Sequence, residues 1–162
     1  MISSMSAFAD YFDGIRKRTL KYIRRIPPDQ MGFSPYPGKF TLGDLVRHLA
    51  STEAMFVRAV VAGGVWLYPG HEADKGETLE GALDYLNRKH EEAMAGLRGA
   101  GDELLTTKRP SLKGYPVQSW HLLMAMCEHE THHRAQISQY LVALGLETPQ
   151  VFDLRIEQVT KE

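Results

Sequence analysis

The chain reads HETHHRAQ at residues 129–136, inside the longest strongly helical run of the sequence, roughly Pro116 to Leu144. At ~100° of rotation per residue, one face of this helix is apolar. Its apolar positions are Leu122, Met126, Ile137, Tyr140 and Leu144. Counted from the first of these, His129 falls at ~340° and His133 at ~20°, so two imidazoles one turn apart take positions where a core normally places apolar residues. His132, at ~280°, lies toward the edge of that face.

Two histidines at positions i and i+4 can bind one metal ion from a single helix, because their side chains project in the same direction. The alternative is a pair of core histidines that hydrogen-bond to neighbouring helices. We favour the metal, because two adjacent imidazoles on an apolar face are hard to satisfy without a shared ion. The pair therefore predicts a metal site inside a helical core.

Composition limits the classes of protein to which the chain can belong. Its 162 residues are 43% hydrophobic, which is enough for one compact domain spanning residues 1–162. A formal net charge of -1 offers no basic surface to nucleic acid or to anionic lipid. No apolar run approaches the ~18 residues of a membrane span, and the N-terminal residues lack the pattern of a signal peptide. We therefore expect a cytoplasmic protein that binds neither nucleic acid nor membrane.

The first segment has apolar residues at helical spacing, which predicts an amphipathic helix ending at Pro27-Pro28. These residues are Phe8, Tyr11, Phe12, Ile15, Tyr22 and Ile26. Basic residues occupy the other side: Arg16, Lys17, Arg18, Lys21, Arg24 and Arg25. We interpret this cluster as a solvated helix face near the helix C-terminus rather than as a nucleic-acid patch.

A second helix is predicted from a capping pair, Thr41 and Asp44, to about Gly63. His48 lies at the edge of its apolar face, so periodicity alone makes it a surface or boundary histidine. Glu53 instead falls among the apolar positions, where a carboxylate needs a donor, a cation or a proton. For Glu53 we favour a structural role over a catalytic one.

The third helix is predicted from about Glu77 to Leu97. His90 lies in its apolar stripe and is therefore a rival third metal ligand, with a hydrogen-bonded core histidine as the alternative. His71, in the preceding loop, has no such geometry. Pro116 suits the first turn of the fourth helix.

The C-terminal tail contains a weakly alternating stretch, VFDLRIEQV at residues 151–159, which fits a short strand, a short helix or an extended arm. Four long helical patterns without a convincing hairpin predict an all-α four-helix bundle.

Residues 129–133 also satisfy the pattern H-E-x-x-H, in which two histidines bind zinc and the glutamate, here Glu130, is the base of a metalloprotease. Such proteases need a third ligand. Gln139 stands where one form of the motif has histidine, and only Asp153 and Glu157 follow as acidic candidates. Because no sheet is predicted to bind an extended peptide, we disfavour the protease.

Three segments carry a resemblance to a known family: FSPYPGKFTLGDLVRHLASTE at residues 33–53, HETHHRAQISQYLVALG at 129–145 and ETP at 147–149. Over nearly its whole length the chain resembles the DinB family, the DinB/YfiT-like four-helix metalloproteins. In that family one histidine early in the second helix and an H-x-x-x-H pair on the fourth bind a divalent metal. The resemblance places this set at His48, His129 and His133. It thus selects His48 over His90, a choice that periodicity leaves open.

The resemblance also implies a chemistry. Three neutral imidazoles leave a coordination position open, as in catalytic zinc sites. Zinc or nickel is the favoured ion, and iron, cobalt or manganese also fit nitrogen ligands. DinB-like enzymes of known activity are mostly thiol S-transferases, which join a thiol such as bacillithiol or mycothiol to an electrophile, and related thiol-dependent isomerases. By resemblance, the chain is expected to be a metal-dependent S-transferase in detoxification or stress response, with no catalytic residue assigned.

Two other functions stay open at this stage. One is hydrolysis by metal-bound water, with Glu53 or Glu130 as proton acceptor. The other is a non-catalytic stress protein that binds a metal or small ligand. An apolar face left by four helices, together with the resemblance, predicts a homodimer. Cys127, the single cysteine, lies at ~140° on the helix, away from the histidines, and is expected to be an inert packed thiol.

Overall fold

A computed structural model describes residues 2–158 of the chain. These residues form four long helices and one two-stranded antiparallel sheet. The helices are α1 (Met5–Ile23), α2 (Leu42–Val61), α3 (Leu79–Arg98) and α4 (Ser119–Ala143), and the strands are β1 (Lys108–Pro110) and β2 (Pro116–Gln118). The predicted all-α four-helix bundle is confirmed. Within the described residues, none of the helices combines the length and apolar character that crossing a bilayer requires.

The second helix begins as its sequence predicts. The Thr41 hydroxyl accepts a hydrogen bond from the Asp44 backbone N–H, and the Asp44 carboxylate accepts one from the Thr41 N–H, at 3.1 and 2.9 Å. This reciprocal capping satisfies two backbone donors that a helix start otherwise leaves without partners. It fixes the start of α2 at Leu42, so that His48 lies in the second turn of the helix.

The start of the fourth helix was predicted wrongly. Pro116 belongs to β2, where it pairs with Pro110 of β1, and α4 begins at Ser119. A turn at Gly114, whose φ of 85° favours glycine, closes this hairpin. The hairpin escaped sequence analysis because strands of three residues are too short to show alternation. The first helix likewise ends at Ile23, before the predicted Pro27-Pro28.

The apolar core is divided into two clusters along the bundle axis. One cluster is built on α1 residues up to Ile15 and α4 residues up to Cys127, with contributions from α2 and α3. The other is built on Tyr22 and Ile23 of α1 and on α4 residues from Ile137 onward. Between the clusters, α1, α2 and α4 carry buried polar side chains, and α3 carries the half-buried His90.

Four titratable residues, one from each helix, meet between the two clusters, and we call them the polar layer: Arg16, Glu53, His90 and Glu130. Arg16 Nη2 lies 2.6 Å from Glu53 Oε2 and 3.1 Å from Glu130 Oε2. His90 Nδ1 lies 2.7 Å from Glu53 Oε1. Arg16, Glu53 and Glu130 are each at most 2% exposed, so these charges are paired away from water.

Two expectations for the first helix need correction. The sequence predicts Arg16 on a solvated basic face, but the residue is buried because two acidic side chains face it from α2 and α4. The helical spacing predicts Tyr11 on the apolar face, yet it is 49% exposed. Glu53, in contrast, finds the donor and the cation that its apolar position required.

The tail packs back on the bundle without forming a strand. Tyr22 donates a hydrogen bond from its hydroxyl to the Pro149 carbonyl oxygen at 2.7 Å, and Lys21 forms an ion pair with Asp153. Regular structure in the described part of the tail is limited to a single 3-10 turn, Ile156–Gln158. Of the predicted alternatives, an arm with one short helical turn is closest; residue 159 of the alternating stretch lies outside the described residues.

Replacing Arg16 with methionine tests the polar layer. We expect Arg16→Met to lower the free energy of unfolding by about 3–5 kcal/mol, because Glu53 and Glu130 would stay buried without their cation. The control is Lys17→Met, an exposed neighbour on the same helix, which should change it by less than about 0.5 kcal/mol. Urea unfolding at neutral pH, followed by circular dichroism, measures both. Equal free energies of unfolding for the two variants would contradict the pairing of Arg16 with Glu53 and Glu130.

Candidate metal centre

Three histidines from two helices meet at one point of the bundle. His48 projects from the second turn of α2, and His129 and His133 project from adjacent turns of α4. The Nε2 atom of His129 lies 3.1 Å from Nε2 of His48 and 3.0 Å from Nε2 of His133. One ligand atom from each residue lies within 4.8 Å of the others. The structure therefore brings together the three residues that the resemblance selected, with His133 buried and the other two half-buried.

The opposite ring nitrogens on α4 are held by hydrogen-bond acceptors. Gln136 Oε1 lies 2.6 Å from His133 Nδ1, and because a carboxamide oxygen only accepts, the Nδ1 atom must carry the proton. Thr52 donates its hydroxyl proton to the His48 carbonyl oxygen at 2.8 Å, so its oxygen is left to accept from His129 Nδ1 at 3.4 Å. Neutral His129 and His133 consequently turn their unprotonated Nε2 atoms toward each other.

His48 contacts Tyr68 and Phe40, and both of these residues also contact His71. The Tyr68 hydroxyl lies 2.7 Å from His48 Nδ1 and 2.7 Å from His71 Nδ1. If His48 Nδ1 donates to this hydroxyl, the hydroxyl proton goes to His71, and His48 Nε2 is left unprotonated. Phe40 packs against both imidazoles, with ring centroids 5.0 Å from His48 and 4.5 Å from His71. Helical periodicity could not place Tyr68 and His71, because both lie in a loop.

Burial keeps the imidazoles neutral. It lowers the pKa of His48 to about 4, helped by repulsion from His133 and His71. It lowers the pKa of His129 to about 3, helped by repulsion from His133 and His48. The pKa of His133 is also lowered by burial, partly opposed by its hydrogen bond to Gln136. At neutral pH all three rings therefore keep the lone pairs that a metal requires.

The cluster fits a divalent ion in both geometry and chemistry. Two unprotonated nitrogens 3.0 Å apart cannot hydrogen-bond to each other, so His129 and His133 have a repulsive contact that a cation between them would relieve. Tetrahedral zinc with bonds of about 2.0–2.1 Å places its nitrogen ligands about 3.3 Å apart, close to the observed separations. Each Nδ1 also has the polar partner that metal-binding histidines usually show.

The rival ligand His90 has a different environment. Its Nδ1 contacts Glu53, and its Nε2 lies 2.8 Å from Asp13 Oδ1. Both nitrogens are thus engaged by carboxylates within the polar layer, and His90 is outside the histidine cluster. His132 is exposed, in agreement with its edge position on the helix, and its ring centroid lies 4.9 Å from that of His133.

The glutamate of the H-E-x-x-H pattern points into the polar layer. Glu130 pairs with Arg16, and burial raises the pKa of its carboxyl group although the arginine opposes the rise. Of the acidic candidates for a third zincin ligand, Asp153 pairs with Lys21 and Glu157 is exposed. These contacts do not form the site of a zinc protease.

Cys127 behaves as its position on the helix predicts. It is 5% exposed and packs in the first apolar cluster. Burial raises the pKa of its thiol to about 12, with the neighbouring acidic groups Glu130 and Glu128 adding to the rise. The thiol is therefore protonated and belongs to the packing of the bundle.

Fold and site together define a four-helix-bundle protein with a histidine cluster between two of its helices. The chain belongs to the DinB family, whose model matches residues 1–162. Among curated proteins, none matches the chain.

Solved structures give the same fold. A DinB-like protein from Bacillus cereus is similar at a TM-score of 0.75 and 20% identity, over 93% of this chain and 99% of that one. A DinB-like protein from Bacillus subtilis has a TM-score of 0.73 and 21% identity, over 89% and 96%. A mycothiol-dependent maleylpyruvate isomerase is more distant, with a TM-score of 0.52 and 18% identity, over 80% of this chain and 60% of that one.

Removing the hydroxyl of Tyr68 tests its role behind His48. We expect Tyr68→Phe to weaken zinc affinity about 10- to 100-fold, because His48 loses the group that orients its ring. Tyr11→Phe, at an exposed tyrosine of α1, is the matched control and should leave the affinity unchanged. Competition with a chromophoric chelator measures both affinities. Unchanged affinity in the Tyr68 variant would show that the loop does not support the site.

Proposed function

We propose that this protein is a divalent-metal-dependent S-transferase, which joins a low-molecular-weight thiol to an electrophile. The observation that carries the proposal is the convergence of three histidine Nε2 atoms, with polar groups against every Nδ1. His48, His129 and His133 are the proposed ligands, and zinc or nickel the favoured ion, with iron, cobalt or manganese as alternatives. Three protein ligands leave a position open for a substrate.

The charge of the site supports a thiol as that substrate. All members of the cluster are neutral histidines, so the protein ligands do not cancel the charge of a divalent cation. A bound ion would supply a Lewis acid that holds a thiol as its thiolate near neutral pH. The mycothiol-dependent isomerase shows that a protein with a similar fold uses a small thiol.

The proposed transfer does not need a protein base to accept the thiol proton. The thiol proton is released to solvent when the thiol ionises at the site. The sulfur then forms a carbon–sulfur bond with the electrophile, and with an alkyl chloride the carbon–chlorine bond breaks and chloride leaves with the electron pair. The contribution of the chain is to keep three imidazoles neutral and oriented, through Thr52, Gln136 and Tyr68.

Hydrolysis is less well supported. Its two candidate proton acceptors, Glu53 and Glu130, both contact Arg16 in the polar layer. A carboxylate that neutralises a buried arginine is poorly placed to accept a proton from a metal-bound water, because the arginine would lose its counterion. The S-transferase is therefore preferred.

The first test compares neighbouring histidines of α4. His133→Ala should lower the rate of conjugation of 3-mercaptopropionate with monochlorobimane about 100-fold or more. Losing a metal ligand should cost at least as much as losing a residue that hydrogen-bonds to a ligand, which typically costs about 10- to 100-fold. His132→Ala, at the exposed position beside it, should keep the wild-type rate. Fluorescence of the bimane product measures the reaction, and a chelator should abolish it reversibly.

Two outcomes would contradict the proposal. If the wild-type protein binds metal but does not accelerate conjugation, and loses helicity on chelation, the ion has a structural role. If the two histidine variants are equally active, the reaction does not use the cluster.

Other features stay predictions. These are a single domain, a homodimer, a cytoplasmic location and a role in detoxification or stress response. Analytical ultracentrifugation tests the homodimer, and a monomer at micromolar concentration would exclude it under those conditions.

A further inference from the structure

A cavity of about 350 Å³ opens beside the histidine cluster, and His133 forms part of its wall. We call it the aromatic pocket, because Tyr36, Phe40 and Tyr140 line it. Phe40, in the loop that precedes α2, also packs against His48, so two wall residues of the pocket, His133 and Phe40, belong to the cluster or contact it. A small molecule in the aromatic pocket would therefore lie next to the proposed metal.

The aromatic pocket has one cationic residue among its lining residues. Lys39 lines the pocket and carries a positive charge, and none of the lining residues is acidic. Lys39 is exposed, and within residues 2–158 no carboxylate pairs with it. The same holds for Lys17, Lys108 and Lys113, so the position of Lys39 at the pocket, and not its lack of an ion pair, distinguishes it. Gln136 uses its carboxamide oxygen on His133 Nδ1, which leaves its NH₂ end as the part available to a ligand.

We infer that the aromatic pocket binds the carboxylate of a small organic acid, with Lys39 as its counterion. Three aromatic rings would pack against the apolar part of the molecule, and the ammonium and carboxamide N–H groups would hold the carboxylate. The inference extends the proposed function by giving one of the two substrates a negative charge. The proposed ligand group is a carboxylate, and either the thiol substrate or the electrophilic substrate could carry it.

The first experiment requires neither metal nor catalysis. Benzoate and benzamide have nearly the same shape and differ in charge, so metal-free protein can be titrated with each and followed by the side-chain amide signals of Gln136 and Gln139 in NMR spectra. We expect benzoate to bind about three- to tenfold more tightly, as one partly exposed charge pair allows. Lys39→Gln should remove this preference. Lys113→Gln, an exposed lysine of the hairpin turn, should retain it.

Equal binding of the two probes by the wild-type protein would overturn the inference, and so would a benzoate preference that survives Lys39→Gln. Because this experiment omits metal, its result is independent of the proposed S-transferase. A failed conjugation assay with an intact benzoate preference would reject the S-transferase alone.

A second experiment identifies which substrate carries the charge. Cobalt-loaded protein is titrated with 3-mercaptopropionate and with 3-mercaptopropionamide, and the near-ultraviolet thiolate-to-cobalt absorption reports sulfur binding. Tighter binding of the acid, lost in Lys39→Gln, would assign the carboxylate to the thiol. Equal binding of acid and amide, with the benzoate preference kept, would assign it to the electrophile.

Discussion

Arg16 holds two buried carboxylates on two other helices, and the rest of the bundle depends on this contact. Its Nη2 atom contacts both Glu53 and Glu130, so α1, α2 and α4 are tied at one level. Burying three charges is costly, and such a group is stable only while each charge has its partner. An apolar replacement of the whole group could pack as well, but it would not fix the relative height of the helices as a charged contact does.

The polar layer sets the positions of the histidines. Glu130 directly follows His129 in the chain, and Glu53 directly follows Thr52, whose hydroxyl faces His129 Nδ1. A slip of one turn between α2 and α4 would separate the carboxylates from Arg16 and the imidazoles from one another. Burial of the imidazoles in the bundle lowers their pKa values and keeps the rings neutral. The same local arrangement thus stabilises the bundle and prepares nitrogen ligands.

Helical periodicity predicted the four helices and the inward-facing histidine pair on α4, since both depend on apolar spacing along one helix. It could not choose between His48 and His90, because that choice depends on how helices are rotated against each other; the family resemblance supplied it. Helical periodicity also misplaced Arg16. An arginine is expected in solvent unless acidic residues on other helices face it, and the spacing along one helix does not show which residues those are. Tyr68 and His71 were missed because a loop gives no periodic signal, and the hairpin because its strands are short.

Metal content tests the central claim most directly. Protein purified without chelator or affinity metal is analysed by elemental mass spectrometry, beside His48→Ala, His133→Ala and His90→Ala variants whose helicity is checked by circular dichroism. The account predicts about one divalent ion per chain in the wild type and in the His90 variant, and loss of the ion in the other two. Absence of metal from the wild type, or its retention in the His48 and His133 variants, would contradict the claim that this cluster is a metal centre.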